Sequence, residues 1–288
     1  MRSNPGATFV ALMLAIAAQP GCADSAPVPA GCLRLETAEG AIEIELARDA
    51  APGAVAAIER LARGPIYDLD LVPRAEAARE TGYFDGQPFD FAKPKLELRL
   101  AGRAPAAAFS IAAELDATAL GLDEQQVADA GEAMDRLQME LLPARKRPTS
   151  ERRATPRLEE WATRFEQGGY DPSFLVGTSR KELLEAIGYR FTDGLATRPA
   201  LRGAVALVPS SPTEATMTLS ILLADHPRRS GRWVVVGHVV SGLELADEIA
   251  SRPLASVEMR NYRPLSPVTV ERASSHSSCE ETSKGGAA

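Results

Sequence analysis

Few side chains in this chain are of types that do chemistry, and their spacing narrows what they can do. There are three histidines, His226, His238 and His276. None stands at a metal-ligand interval from another or from a cysteine, so no metal site and no cofactor is expected. The three cysteines, Cys22, Cys32 and Cys279, lie towards the two ends of the chain. Glu97 and Arg99 alternate with Leu96, Leu98 and Leu100. In a strand that pattern puts the acid and the guanidinium on one face and the three leucines on the other. The pair reads either as a surface ion pair of little energetic consequence or as a guanidinium held out towards a ligand. Residues 145–157, RKRPTSERRATPR, hold six basic residues against one acid. Such a run can meet anionic lipid headgroups, but its composition favours a solvated linker.

Those side chains need a scaffold and a compartment. The 288 residues carry a net charge of −7, and 45% are apolar. The apolar share suits a folded globular protein, whereas the negative balance excludes nucleic acid as a partner, which would demand a positive field. Behind Arg2, the apolar run of residues 7–18 is too short to cross a bilayer and has the form of a secretory signal. That signal occupies residues 1–22, and Gln19-Pro20-Gly21-Cys22 at its end resembles a bacterial lipobox. Gly21 fits the small residue required there, and Gln19 departs from the usual leucine. Processing before Cys22 would leave a lipid-modified cysteine and a membrane anchor; a cut near Ala23 would discard it. The protein is therefore expected to be exported, either periplasmic or anchored in the envelope. With Cys22 lipidated, Cys32 and Cys279 remain as a pair in an oxidising compartment. A bridge between them, preferred here over two free thiols, would close nearly the whole domain and contribute roughly 4–5 kcal/mol.

Past a linker at 23–31 the pattern becomes period two, and Leu33, Leu35, Ile42, Ile44 and Leu46 predict a hairpin with one wet face. A helix follows, with Asp49 as cap, Pro52 in its first turn, Val55, Ile58 and Leu61 on its buried side and Gly64 as its stop. Residues 65–81 read as loop or short helix, and Phe89–Phe91 and Leu96–Leu100 as strands separated by Pro94. From 117 to 199 the character is helical, with stripes of Val127, Met134, Leu137 and Leu141, then Leu158, Trp161, Ala162 and Phe165. Ser179 and Glu182 spell a capping box. Strands return at 204–208, 216–223 and 233–240, a helix at 243–249 and a last strand at 268–271; the Ser-rich tail, 273–288, is expected to be disordered apart from Cys279.

Five segments in this order resemble the cyclophilin-type peptidyl-prolyl isomerases: residues 35–64, GYFDGQPF (82–89), FSIAAEL (109–115), RGAVALVPSSP (202–212) and SGRWVVVGHVVSGLELADEI (230–249). The turn glycines Gly40, Gly86, Gly203, Gly231, Gly237 and Gly242 fall in place. The resemblance covers 33–116 and 200–272. It implies a mainly β fold, a closed eight-stranded antiparallel cyclophilin-like barrel capped by two helices, occupying 32–272 and interrupted by a helical insertion at 117–199. It also implies a groove for a proline-containing peptide or an exported protein, on a chain expected to be a monomer.

Transferred position by position, the resemblance leaves little of the family's catalytic equipment. The Phe-His-Arg of the family falls on Phe89-Asp90-Phe91, so a phenyl ring stands where the catalytic guanidinium would be. Its Phe-Met-x-Gln falls on Leu96-Glu97-Leu98-Arg99, and its Gln-Phe-Phe on Thr218-Leu219-Ser220. Val208-Pro209 replaces the Ala-Asn that holds peptide backbone, Arg228 the rim tryptophan and Trp233 the rim histidine. Losing a preorganised donor costs about 2–4 kcal/mol of transition-state stabilisation. Arg99 is the only candidate for a substitute catalytic residue. Trp233 is either a rim aromatic for a peptide or a residue packed against the insertion, and His238 is structural or exposed rather than a base. Three readings follow: a divergent isomerase acting on exported proteins, a peptide- or protein-binding module without turnover, and an envelope lipoprotein using the fold as scaffold. The residues favour binding with weak or absent turnover.

Overall fold

The computed structural model describes residues 31–62, 110–146, 155–252 and 268–279, together with the backbone of 69–74 and 97–102. The signal segment with Cys22, the stretch carrying Phe89, Phe91 and Leu96, and most of the basic run lie outside the described residues.

Among the described residues nine strands form one antiparallel sheet. They are β1 (Cys32–Thr37), β2 (Gly40–Leu46), β3 (Leu69–Arg74), β4 (Glu97–Gly102), β5 (Ser110–Ala112), β6 (Ala204–Ser211), β7 (Glu214–Leu222), β8 (Val234–Ser241) and β9 (Val268–His276). Their order is β4-β3-β9-β1-β2-β8-β6-β7-β5. The sheet curls far enough for β4 to pair also with β7, through Glu97–Leu222, Leu98–Ile221 and Arg99–Ser220. This curled, nine-stranded sheet is not the closed eight-stranded barrel expected. The short β5 adds a strand on β7, and the contact between β4 and β7 is a seam of three residue pairs.

The period-two hairpin becomes β1 and β2, with Leu33, Leu35, Ile42, Ile44 and Leu46 all buried. Two helices accompany the sheet, α1 (Pro52–Ala62) and, after the insertion, α6 (Leu243–Ser251). Asp49 does not cap α1. The carboxylate of Glu114 accepts the Gly53 and Ala54 amides instead, each at 2.9 Å, and Asp49 pairs with Arg198 at 3.3 Å. Leu61 is exposed because the helix turns Ala54, Val55 and Ile58 inward. Two further expectations fail. Residues 69–74 are strand, not loop or helix, since they pair with both β4 and β9. The last strand runs on to His276 rather than stopping at Glu271, so Ser274–His276, placed in the disordered tail, are ordered against β1. Cys32 stands opposite His276 and is bonded to Cys279, 4.9 Å away between Cα atoms, which ties that end of β9 down.

Between β5 and β6 the chain forms α2 (Ala130–Arg136), a π-helical turn (Leu137–Leu141), α3 (Leu142–Lys146), α4 (Pro156–Gln167) and α5 (Arg180–Ala186). Ser179 and Glu182 form the capping box of α5. Leu137, Leu141, Leu158, Trp161, Phe165, Leu183 and Leu184 belong to the same hydrophobic core as the sheet's inner face. The insertion is therefore packed into the body of the protein, not tethered beside it. Its two roots are clasped by Asp116, whose carboxylate accepts amides from Thr118 and Ala119 on one side and Gly194 and Leu195 on the other, at 2.7–3.2 Å.

Candidate functional site

Side chains alternate across a strand, so β6, β7 and β8 each offer one set of residues to the core and another to an outer wall. Val205, Leu207, Leu219, Ile221, Val234 and Val236 enter the main core. On the other face Ala204, Ala206, Leu222 and Val235, with Ala200 from the preceding loop, form a separate apolar cluster against which Trp233 packs. One row of the ladder crosses four strands: Val235 beside Ala206, Ala206 beside Ser220, Ser220 beside Arg99. Glu97 stands beside Leu222. Positions 97 and 99 thus fall on the outer wall, and position 98, beside Ile221, on the core side.

Small residues dominate this wall, all of them buried at 0–4% exposure, and the half-buried ring packed on it is Trp233. The chain reaches Trp233 through a tight 3-10 turn, Pro227–Arg229, and the Trp233 amide donates to the Arg229 carbonyl at 3.0 Å. That turn aims the Arg229 guanidinium at the indole, 4.1 Å from the ring centroid, a cation–π stack. Burial first, and then the neighbouring Arg232 charge, pull the Arg229 guanidinium down to about 10. The turn is lashed to the end of the insertion, where the Ala200 amide donates to Ser230 Oγ at 3.0 Å and the His226 amide to the Ala200 carbonyl at 2.8 Å. The site is an apolar platform with an aromatic edge and a stacked cation.

Of the residues expected in a groove, the wall unites Ser220, Trp233 and the position of Arg99. Leu219 does not belong to it: strand alternation turns it into the core, where it is 6% exposed, while Ser220 takes the outer face. Val208 and Pro209 lie farther along β6, where the register with β7 breaks, and both are half-buried. Arg228 is exposed on the 3-10 turn. The side chains of Glu97 and Arg99, like Phe89, Phe91 and Leu96, lie outside the described residues. Arg229 was missed from the sequence. The signal was its spacing four residues before Trp233, but four residues bring side chains together only in a turn or helix, and the Pro-Arg-Arg-Ser-Gly segment has no periodic pattern to predict one.

Beside Trp233, Arg232 links the wall to the insertion. Its Nε donates to the Tyr189 hydroxyl at 3.3 Å, and its Nη1 lies 3.9 Å from Glu140 Oε2. Glu140 sits in the π-helical turn and also pairs with Arg180 at 2.6 Å and Arg136 at 2.9 Å, with only 8% of its side chain exposed. Burial would raise its carboxyl, but the Arg180 charge and the bonds from Arg136 and Arg180 outweigh it and hold it below its ordinary value. Arg180 is held lower than usual, chiefly by its own burial.

No family model and no curated protein matches the chain. Among solved structures it is similar to a cyclophilin-type peptidyl-prolyl cis-trans isomerase of Cryptosporidium parvum, determined in the presence of the dipeptide Ala-Pro. The identity is 12%, over 85% of this chain and 98% of the other, with a TM-score of 0.41. It is similar as well to the cyclophilin AquaCyp293 of Hirschia baltica, at 12% identity over 85% of this chain and 73% of that one, with a TM-score of 0.39.

Proposed function

We propose that the chain is an exported, cyclophilin-like domain that binds proline-containing peptides on the outer wall of β6, β7 and β8, with weak or no isomerisation. Twisting a prolyl amide means overcoming a barrier of about 18–20 kcal/mol set by resonance. Catalysis needs a donor aimed at the prolyl nitrogen as it becomes pyramidal, whereas binding needs only an apolar seat with an edge. The observation that carries the reading is the row Val235–Ala206–Ser220 beneath Trp233. Val235, Ala206 and Ser220 are themselves 3%, 0% and 0% exposed, so the part of this patch open to a peptide is its edge at the half-buried Trp233, and the Arg229 guanidinium is stacked on that ring. By the family resemblance Phe91 supplies no donor either. Export and attachment through a lipidated Cys22 belong to the same proposal and rest on the N-terminal pattern. They are tested by palmitate labelling that disappears in Cys22→Ala; an unlabelled parent protein removes the anchor.

A specific observation favours a second reading, weak catalysis through Arg99, because the ladder puts position 99 beside Ser220 on the wall itself. Exchange spectroscopy on a Xaa-Pro peptide separates the two. The binding reading expects peptide resonances that shift on titration with little added cis/trans exchange. Exchange at the efficiency of an active isomerase overturns it, and weak exchange abolished by Arg99→Ala establishes the second reading.

A further inference from the structure

A separate site lies on β9, β1 and β2, the strands next to the wall, where β2 adjoins β8. The outer faces of β9, β1 and β2 are polar, and the ladder aligns Ser274, Arg34 and Glu43 in one row and Arg272 with Glu36 in the next. These side chains and His276 line a cleft of about 420 Å³ that reaches the disulfide at Cys32, within the size range of small-molecule sites. Its charges are arranged in depth. Glu43 is at the buried end, 5% exposed. Its Oε1 accepts Arg34 Nη1 at 2.7 Å, while its Oε2 is buried with no hydrogen-bond partner. Arg34 Nε faces Glu36 Oε1 at 3.2 Å, so the unmet group at the buried end is Glu43 Oε2. Arg272 is mostly exposed, and its nearest carboxylate oxygen, on Glu36, is 3.9 Å away. His276 is exposed and shares a 2.9 Å hydrogen bond with Ser274 Oγ. Among the described residues no group of three or more His, Cys, Asp or Glu is placed to hold a metal ion, so a cation with its own N–H donors suits the buried carboxylate better.

An orphaned carboxylate oxygen in a buried position costs free energy unless a donor meets it. Here the missing donor would come from inside the cleft, and a carboxylate would meet the Arg272 guanidinium and a ring nitrogen of His276 nearer the solvent. We propose that this cleft binds a small zwitterion of amino-acid or dipeptide type, its ammonium on Glu43 Oε2 and its carboxylate between Arg272 and His276. The proposal does not depend on the peptide wall, with which it shares no residue.

Calorimetric titration of the full, oxidised chain with glycylglycine tests it. This probe lacks proline, so binding to the wall does not imitate the result. Saturable binding is expected, weakened about tenfold in Arg272→Ala and by at least as much when the probe's amine is acetylated. Arg272 is too exposed for its loss to threaten folding. Glu43→Gln, which keeps the shape and removes the charge, should weaken binding further; if that variant does not fold, Arg272→Ala and the acetylated probe still decide. No saturation by about 20 mM, or binding indifferent to both Arg272→Ala and acetylation, overturns the proposal.

Discussion

Two outward faces of one curled sheet have opposite chemistry. Over β6, β7 and β8 the positions turned away from the main core are Ala204, Ala206, Ser220, Leu222 and Val235, all buried, with an indole packed on them and a guanidinium stacked on the indole. Over β9, β1 and β2 they are Arg34, Glu36, Glu43, Arg272 and His276, roofed by a disulfide-tethered segment. The inward faces of both regions enter one core and are interchangeable in kind. The difference lies in what supports each roof. Trp233 rests on the apolar wall and under the stacked Arg229, neither of which involves the disulfide. The charged face ends where Cys279 is bonded to Cys32, so the end of β9 that carries Ser274 and His276 leans on that bond as well as on its pairing with β1. One region should therefore tolerate changes in conditions that dismantle the other.

The largest test cuts the tether. The bridge joins residues 247 apart in sequence, and in the chain-entropy account a loop of that length is worth about 5 kcal/mol. Cys279→Ser should lower the urea midpoint of the whole protein accordingly. Amide exchange should rise over Ser274–His276 while Val234–Val236 stay protected. Equal loss of protection over both regions would show that the two faces are not independent.

Next comes the ion cluster that carries the wall's link to the insertion. Glu140→Ala strands Arg180, itself 5% exposed, without its carboxylate, and breaking a buried pair from one side costs about 3–5 kcal/mol. Replacing both partners, Glu140→Leu with Arg180→Met, should recover most of that loss in urea unfolding. Failure of the double variant to recover would mean that the cluster sets the geometry of the insertion and does more than neutralise itself.

Much of this was legible in the sequence, and where it was not the reason is physical. Period-two and helical stripes located β1, β2, β6, β7, β8, α4 and α6 because each buries one face in the core. The capping box of α5 was legible because its residues are three apart in sequence. The strand at Leu69–Arg74 was not, since Leu-Asp-Leu-Val-Pro-Arg contains a proline and owes its state to partners on both sides. Ser274–His276 looked like tail because Ser-Ser-His has no strand propensity; pairing with β1 beside the disulfide overrides it. At the candidate site, Ser220 and Trp233, which the resemblance put in a groove, lie on the same face of the sheet. Leu219 was misplaced with Ser220 although adjacent residues of a strand cannot share a face, and Arg229 depends on a turn that nothing in its own segment announces.

Acid provides a milder separation. Asp116, Glu132, Glu140 and Glu182 all titrate below their ordinary values, and all belong to the insertion or its root. For Asp116, burial pushes upward but four backbone amides outweigh it; for Glu132 and Glu182 a backbone amide is the leading cause. Such groups stay unprotonated in the native state at a pH where the unfolded chain has bound protons, so stability falls as pH drops below about 4. The two tryptophans report separately, Trp161 from α4 and Trp233 from the wall. In single-tryptophan variants Trp161 fluorescence should change at higher pH than Trp233. Coincident transitions would mean that the insertion and the wall unfold together.

The smallest effect concerns the wall alone. If Trp233 stands as a preformed edge for a peptide, something must hold its ring against the small-residue wall in the free protein, and the stacked Arg229 is the described group placed to do so. A partly desolvated cation–π contact contributes about 1–2 kcal/mol. Burial lowers the Arg229 guanidinium only to about 10, so it remains charged at neutral pH and the contact operates there. A double-mutant cycle of Arg229→Met and Trp233→Leu should therefore show coupling of about that size in stability. Arg229→Met alone should weaken binding of a Xaa-Pro peptide by a few fold without touching glycylglycine, because it loosens an edge rather than removing one. Zero coupling, with peptide binding unchanged in Arg229→Met, would mean that apolar packing on Ala204, Ala206 and Val235 fixes the indole by itself and that the cation is incidental to the site.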